Sequence, residues 1–267
     1  MTTPVVTALR GLVGALGAAL VLTASPAAAE DETVAKLRAA DRKTFSDREI
    51  ISGFVRLMFN PELPFMGRVD RVRKFDGPVR VHVDTRANPD RTEQLREVVA
   101  DIAARIQNLD IAVTEHRRDA NLTVTLISDR DLPRIVRALQ RRKPDRAVQR
   151  SLHPRCLLEL RRDDGFRVVR SEAVITTDAG EFAFYDCTYE KLLRALGPIN
   201  DDLTLSWSTF NSEVRKGFFG VYDQYLLNML YDRRIRPGMT EAQAQPLLPE
   251  VLRSVRPFVA RLNKLPR

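Results

Sequence analysis

The chain has 267 residues, a formal net charge of +8, and 44% hydrophobic residues. This composition is enough for a sizeable core, and the length suits one globular domain after a short leader, because single domains commonly reach about 200–250 residues. Beyond the leader no stretch is as apolar as the ~20 residues that a spanning helix needs. We found no repeat, low-complexity segment or linker, so the sequence excludes multi-span membrane and repeat proteins.

Residues 1–29 have the pattern of a signal peptide. Arg10 gives a positive start, an apolar run continues to Ala24, and small residues predict cleavage after Ala29. An uncleaved membrane anchor is the alternative, although the apolar run is shorter than a spanning helix. We therefore expect an exported protein, in the periplasm or outside the cell, with no transmembrane segment after cleavage.

Residues 30–45 form a charged N-terminal segment, either a surface helix or a loose arm. Ser46 and Glu49 then form a capping box, in which each side chain binds a free amide of the first helical turn. Apolar residues at helical spacing predict a helix from Asp47 to Phe59. We expect residues 46–267 to form a single domain.

The next segments predict a small mixed sheet with a long backing helix. Valines alternate with polar residues in the first strand, and the first helix has one apolar stripe. In chain order the predicted elements are strand Pro78–Asp84, helix Arg91–Asn108, strand Ile111–Thr114, strand Asn121–Ser128 and helix Asp131–Gln140. The strand–helix–strand order indicates a right-handed crossover.

A basic run follows this helix and contains Arg141, Arg142, Lys143 and Arg146. It is either a solvated loop or a binding patch for an acidic polymer. Nucleic acid is not expected as a partner, because the protein is exported and no stacking aromatic residues are interleaved with these charges.

An Asp-Gly pair at Gly165 favours a tight hairpin between two strands, Cys156–Arg161 and Arg167–Thr176. Cys156 and Cys187 are the only cysteines. In an oxidising compartment two cysteines that can meet usually form a disulfide. Two buried thiols or a reactive Cys187 are the alternatives.

The C-terminal part is predicted to be helical, which makes the fold α+β. A central helix, Tyr185–Leu196, ends at Gly197, because glycine suits the left-handed position that ends a helix. Val221–Tyr231 is another helix. Thr240 and Gln243 cap a final helical region, which Pro257 is expected to bend or end.

The residues around Gly197 resemble the zinc-binding helix of metzincin metalloproteases, His-Glu-x-x-His-x-x-Gly-x-x-His. On that pattern Glu190, Arg194 and Asn200 take the three ligand positions, and Lys191 takes the position of the general base. A cation at Arg194 would repel zinc, and Lys191 cannot act as a base at neutral pH without a large pKa shift. The resemblance implies a metzincin-like fold with no metal, no cofactor and no catalytic residues.

Two downstream features add to this resemblance. Ser208-Thr209-Phe210 is similar to the Ser-x-Met turn under the metal, with Phe210 in place of Met. Tyr222-Asp223 and Leu230-Tyr231 are similar to the C-terminal helix of these proteases. Over roughly Asp41 to Met239 the chain resembles more closely an exported proteobacterial family, domain-of-unknown-function family 2927. That family usually carries Glu-Glu-x-x-Gln in the helix, and Lys191 and Arg194 depart from it.

The expected function is therefore non-catalytic: the binding of an unknown peptide, protein or acidic envelope polymer in the remnant cleft, or an envelope-associated structural role. A hydrolase of an envelope substrate is the alternative, with Glu190 and either Asp201 or Asp202 as the acid and base. In the simpler interpretation Glu190 pairs with Lys191 or Arg194.

The three histidines, His82, His116 and His153, predict no metal site. None of them stands at metal-ligand spacing from another histidine, a cysteine or a carboxylate.

Overall fold

In the computed structural model the described residues are Met1, 32–59, 71–141 and 148–265. The predicted signal peptide lies outside these ranges, as do Arg142, Lys143 and Arg146 of the basic run. Arg141, the remaining member of that run, is exposed at the end of a helix.

Six strands form one mixed sheet, which agrees with the α+β prediction. They are β1 (Val79–Thr85), β2 (Ile111–Val113), β3 (Leu122–Ile127), β4 (Val148–His153), β5 (Cys156–Arg162) and β6 (Val168–Thr176). Their order across the sheet is β2-β1-β3-β6-β5-β4. The first four in this order are parallel neighbours, whereas β5 is antiparallel to both β6 and β4.

Eight α-helices surround the sheet in the described ranges. They are α1 (Glu32–Ala40), α2 (Asp47–Phe59), α3 (Thr92–Arg105), α4 (Leu132–Gln140), α5 (Glu181–Ala195), α6 (Val221–Leu230), α7 (Glu241–Ala244) and α8 (Leu248–Leu262). None of the helices in the part of the chain that the structure describes is long and apolar enough to span a membrane.

The helices lie on both faces of the sheet. The predicted backing helix, α3, packs on β1 and β2, and α5 packs on β5 and β6 and also touches α3. On the opposite face Leu132 and Leu139 of α4 pack against Ile127, Leu157 and Val174 from three strands. Because successive side chains of a strand point to opposite faces, helices on both faces of the sheet pack against the same strands.

The C-terminal helices close the core beside α5. Helix α6 packs on α2 and α8, and these helices share one hydrophobic core with the sheet. Both predicted capping boxes are present: the Ser46 hydroxyl accepts from the Glu49 amide, and that of Thr240 accepts from the Gln243 amide. The helices and strands described belong to one compact unit, Asp31–Arg267.

Several elements differ from the predictions, and α3 ends at Arg105 rather than Asn108. The strand β4 was not predicted, and α5 begins at Glu181 rather than Tyr185. Helix α8 continues through Pro257 to Leu262, so the proline does not end it. Proline removes the hydrogen bond to the carbonyl four residues earlier. Here that residue is Arg253, which is exposed like Pro257, so water can satisfy the freed carbonyl.

Candidate functional site

Helix α5 is buried on nearly all sides, yet its second half carries three charged side chains. Glu190, Lys191 and Arg194 are 8%, 0% and 1% exposed. Charged side chains are almost never fully buried unless they are paired, because a lone charge loses its hydration. The partners of these three residues therefore define the site.

Gly197 makes the turn that brings those partners together. Its φ of 141° is a conformation that L side chains rarely adopt, and a Cβ there would lie 2.1 Å from the backbone oxygen of Arg73. Only glycine fits this position without strain. The turn reverses the chain, so that residues 199–201 return to the side of Arg194.

The Arg194 guanidinium lies at the centre of the site. Its Nε is 3.2 Å from Oε1 of Glu190. Nη1 donates to the carbonyls of Ile199 and Asn200, at 3.2 and 2.6 Å, and Nη2 donates to Asp201 Oδ1 at 2.6 Å. The guanidinium carbon also lies 5.7 Å from the centre of the Phe210 ring, within cation–π range.

The three predicted ligand positions therefore meet at one point, although not all through their side chains. Glu190 and Arg194 face each other directly. Asn200 contributes its backbone carbonyl, because its side-chain amide donates instead to the carbonyl of Leu57 at 3.2 Å. The backbone of Asn200 thus lies at the centre of the site, whereas its side chain points away from it.

Lys191 connects the helix to the edge of the sheet. Its Nζ donates to Glu190 Oε1 at 2.8 Å and to the Ser151 hydroxyl of β4 at 3.1 Å. Burial raises the pKa of Glu190, but the Lys191 ammonium and the Arg194 guanidinium outweigh it and hold this pKa below its ordinary value. Glu190 is therefore ionised at neutral pH and has no proton to give as a general acid.

These pairings match the simpler interpretation of Glu190, in which it is neutralised by cations, and give no support to the acid–base alternative. Asp201 is bound to the same guanidinium. Asp202 forms an ion pair with Arg56 of α2 at 2.8 Å, so its carboxylate is held by a different element.

The Ser208–Phe210 turn lies next to the Arg194 guanidinium, which contacts the Phe210 ring. Asp223 of α6 holds this turn through hydrogen bonds. The Ser208 hydroxyl donates to Asp223 Oδ1 at 2.5 Å, and the Thr209 amide donates to Oδ2 at 2.9 Å. The Phe210 amide in turn donates to the Ser208 hydroxyl at 3.0 Å. Burial raises the pKa of Asp223 to about 6. This network fixes the aromatic ring under Arg194.

The predicted disulfide is present and ties α5 to β5. Cys156 and Cys187 are bonded, with 6.1 Å between their Cα atoms. His153, at the end of β4, lies beside the bond, with its Nδ1 3.6 Å from each sulfur. The sequence spacing predicted no metal site at this histidine, but the turn after β4 brings its ring close to both cysteines.

The space that would correspond to a substrate cleft is nearly filled. The cavity beside Glu190 holds about 10 Å³, roughly one water molecule. It is lined by His153, Asp186, Glu190, Thr209, Asn211, Ser212, Val214 and Arg215. This cavity is too small for a peptide side chain, and the binding of a partner in a remnant cleft stays a prediction.

A larger groove lies near the exposed Trp207. It has a volume of about 380 Å³, and Arg42, Phe45, Arg56 and Tyr222 line it together with Trp207. Trp207 is 39% exposed and is the only tryptophan in the chain. The sequence reasoning had not singled it out.

A sequence profile described as "Protein of unknown function (DUF2927)" matches residues 47–250. This chain belongs to the DUF2927 family. No match was found among curated proteins or among solved structures. The DUF2927 region extends from the start of α2 into α8, and it therefore contains α5, the Gly197 turn, the disulfide and the Ser208–Phe210 turn.

Within the DUF2927 region the sequence reasoning missed Ser151 and His153, both on the unpredicted strand β4. One signal was available, because His153 stands three residues before Cys156, and a tight turn brings such residues together. No comparable signal marks Ser151, which reaches Lys191 because β4 pairs with β5, the strand on which α5 packs.

Proposed function

We propose that this DUF2927 member is an exported, non-catalytic binding protein on a metzincin-like scaffold, in which a buried guanidinium takes the place of a metal ion. The observation that carries the proposal is the position of Arg194. The glutamate, the backbone of residue 200 and the aromatic turn that align with the zinc ligands and the Ser-x-Met turn all contact its guanidinium.

The chemistry of these residues supports a non-catalytic role. Zinc needs three or four nitrogen, sulfur or oxygen ligands at about 2.0–2.3 Å. Arg194 is always charged and offers only donors, so it competes with a metal rather than binding it. Lys191 occupies the position of the general base, and its ammonium is engaged by Glu190 and Ser151. The site is therefore built for rigidity rather than for activating water.

The groove beside Trp207 is the surface that we assign to binding. Aromatic and arginine side chains are enriched where proteins bind partners. Trp207 offers an exposed aromatic face there, and Leu203 nearby in the chain is 47% exposed. A peptide or protein segment with an apolar side chain is the partner that fits this lining. An acidic envelope polymer is the second candidate, supported by the net charge of +8 and the exposed Arg141.

Export is supported by two independent features. Residues 1–29 have the pattern of a signal peptide. The Cys156–Cys187 disulfide is typical of proteins that work in oxidising compartments such as the periplasm.

The proposal that the protein is not a catalyst is tested with the chain from Glu30 onward, purified with its disulfide intact. After equilibration with zinc and desalting, bound zinc is measured per chain, and cleavage of a mixed peptide library is followed by mass spectrometry. We expect less than about a tenth of a zinc per chain and no cleavage. One zinc per chain, with cleavage that Glu190→Gln abolishes, would overturn the proposal.

The binding part is tested on an array of random peptides and on a polyglutamate surface. Peptides that bind are then labelled with a fluorophore and titrated with each variant while the fluorescence anisotropy of the peptide is recorded. We expect Trp207→Ala to weaken binding at least tenfold, whereas Val169→Ala, at an exposed position on β6, leaves it unchanged. Equal binding by both variants would refute the assignment of the groove. If the protein binds polyglutamate in a salt-sensitive manner and binds no peptide, the acidic polymer is the better candidate for the partner.

A further inference from the structure

Three potential metal ligands meet where β4, β5 and α5 converge. The Nδ1 of His153 lies 3.6 Å from Sγ of Cys156 and 3.6 Å from Sγ of Cys187. All three donor atoms lie within 4.8 Å of one another. Both cysteines are buried, and His153 is half-buried. The Arg155 amide donates to the same Nδ1 at 3.3 Å, and a metal there would replace this hydrogen bond.

The distances suit a tetrahedral ion. Zinc binds imidazole nitrogen at about 2.0–2.1 Å and thiolate sulfur at about 2.3 Å, so neighbouring N and S ligands of a tetrahedral site are separated by about 3.5 Å. His153 is already at this separation from both sulfurs. The two sulfurs, which are now bonded, need to move apart to about 3.8 Å.

We propose that reduction of the Cys156–Cys187 disulfide by a dithiol reductant converts this corner into a Cys2His site for zinc. The reductant supplies two electrons and two protons, the S–S bond breaks, each sulfur becomes a thiol, and the reductant is oxidised to its own disulfide. Zinc then binds the two sulfurs as thiolates and the neutral imidazole of His153, and two protons are released.

The surroundings of the three ligands fit this chemistry. The Nδ1 of His153 already accepts a hydrogen bond from the Arg155 amide, so it presents a lone pair on the side of the two sulfurs. His153 also lines the water-sized cavity next to Glu190, so a water molecule can take the fourth position. The charge of two thiolates balances that of the zinc ion, and no further buried charge is created.

This site is distinct from the one around Arg194, and the proposal does not depend on the proposed function. The oxidised chain is expected to bind no zinc at either place, whereas the reduced chain binds one ion at the cysteines. Zinc bound by the oxidised chain would contradict the proposed function and leave the present proposal standing.

The experiment uses the chain from Glu30 onward, reduced with a phosphine and kept without oxygen. Zinc affinity is measured by competition with a chelator, and Co²⁺ replaces zinc to reveal the thiolate-to-cobalt absorption. We expect one zinc per reduced chain and at least 100-fold weaker binding by the oxidised chain. His153→Ala should weaken binding by the reduced chain at least tenfold, whereas His82→Ala on β1 should not change it.

Two results would overturn the proposal. One is equal zinc affinity of the reduced wild type, the His153→Ala variant and a Cys156→Ala/Cys187→Ala double variant. The other is a reduced chain that unfolds, as followed by circular dichroism, and does not refold when zinc is added. Metal binding to a folded site adds to folding stability, so refolding on zinc addition would support the proposal.

Discussion

Arg194 and Glu190 lie one turn apart on α5, with the arginine Nε 3.2 Å from the glutamate Oε1, and both are almost completely buried. Lys191 and Asp201 complete the group. Glu190 contacts both cations, and the partly exposed Asp201 binds Arg194 from the solvent side, which explains how the core can hold the three buried charged residues. Removing one member would leave an uncompensated charge in a poorly hydrated place.

Stability should therefore be highly sensitive to substitution of Arg194. Arg194→Met leaves Glu190 and Asp201 without this partner, and breaking a buried ion pair costs about 3–5 kcal/mol of unfolding free energy. Urea unfolding followed by circular dichroism measures the loss. Arg170→Met is the matched control, because its ion pair with Glu172 on β6 is about half exposed. Equal effects of the two substitutions would show that burial of the Arg194 cluster is not what matters.

Gly197 should tolerate no side chain. Gly197→Ala places a Cβ against the Arg73 carbonyl in a backbone conformation with positive φ, and we expect a loss of about 3 kcal/mol or more. Gly77→Ala is the control, because no atom lies within 4 Å of its added Cβ and its φ is not positive. Thermal unfolding of both variants measures the difference. A Gly197→Ala variant as stable as Gly77→Ala would show that the turn is wrongly described.

Much of the fold could be predicted because its signals are local. The capping box at Ser46 and the helical spacing after it gave α2 with its observed bounds, Asp47–Phe59. The Asp-Gly pair correctly placed the β5–β6 hairpin. Strand β4 was missed, because Val148–His153 mixes polar and apolar residues without alternation and follows a charge run. It is a strand because β5 pairs with it, which is a tertiary effect that periodicity does not carry.

The disulfide should contribute a large share of the stability. It closes a loop with a sequence separation of 31 residues, for which the chain-entropy relation gives about 3–4 kcal/mol. Cys156→Ala/Cys187→Ala should lower the free energy of unfolding of the oxidised protein by this amount, as measured in urea without reductant. Under reducing conditions in the absence of zinc, the wild type should lose most of the difference. Unchanged stability of the double variant would contradict the prediction.

Asp223 should make stability depend on pH. The pKa of its carboxyl group is about 6 in the folded protein and 3.8 in the unfolded chain, so the folded state binds the proton more tightly. The resulting stabilisation is fully present below about pH 4 and is lost as the pH rises through about 6. At 1.36 kcal/mol per pKa unit the change is about 3 kcal/mol. Urea unfolding at pH 4 to 7 should show this loss of unfolding free energy with rising pH in the wild type but not in the Asp223→Asn variant. If the unfolding free energies of the wild type and Asp223→Asn differ by the same amount at every pH, Asp223 is not the titrating group.

The centre of the candidate site could be predicted only in part. The Gly197 spacing and the Ser-x-Phe turn singled out Glu190, Arg194 and Phe210, and in the structure the first and the last of these contact the Arg194 guanidinium. The orientation of the Asn200 side chain could not be predicted, because it is set by the Leu57 carbonyl, 143 residues away in the chain. The three acceptors of Arg194 could not be predicted for a similar reason, because the turn after Gly197 supplies them.

The most direct test of the central claim restores metal ligands at the matching positions. A variant with Glu190→His, Lys191→Glu, Arg194→His and Asn200→His replaces the cation by the zinc-binding pattern, and zinc per chain is measured with the disulfide intact. We predict one zinc per chain, and at least 100-fold weaker binding by a control with Glu190→His and Lys191→Glu that keeps Arg194. If the variant binds no zinc, and zinc does not promote its folding, the guanidinium does not stand in a metal's place.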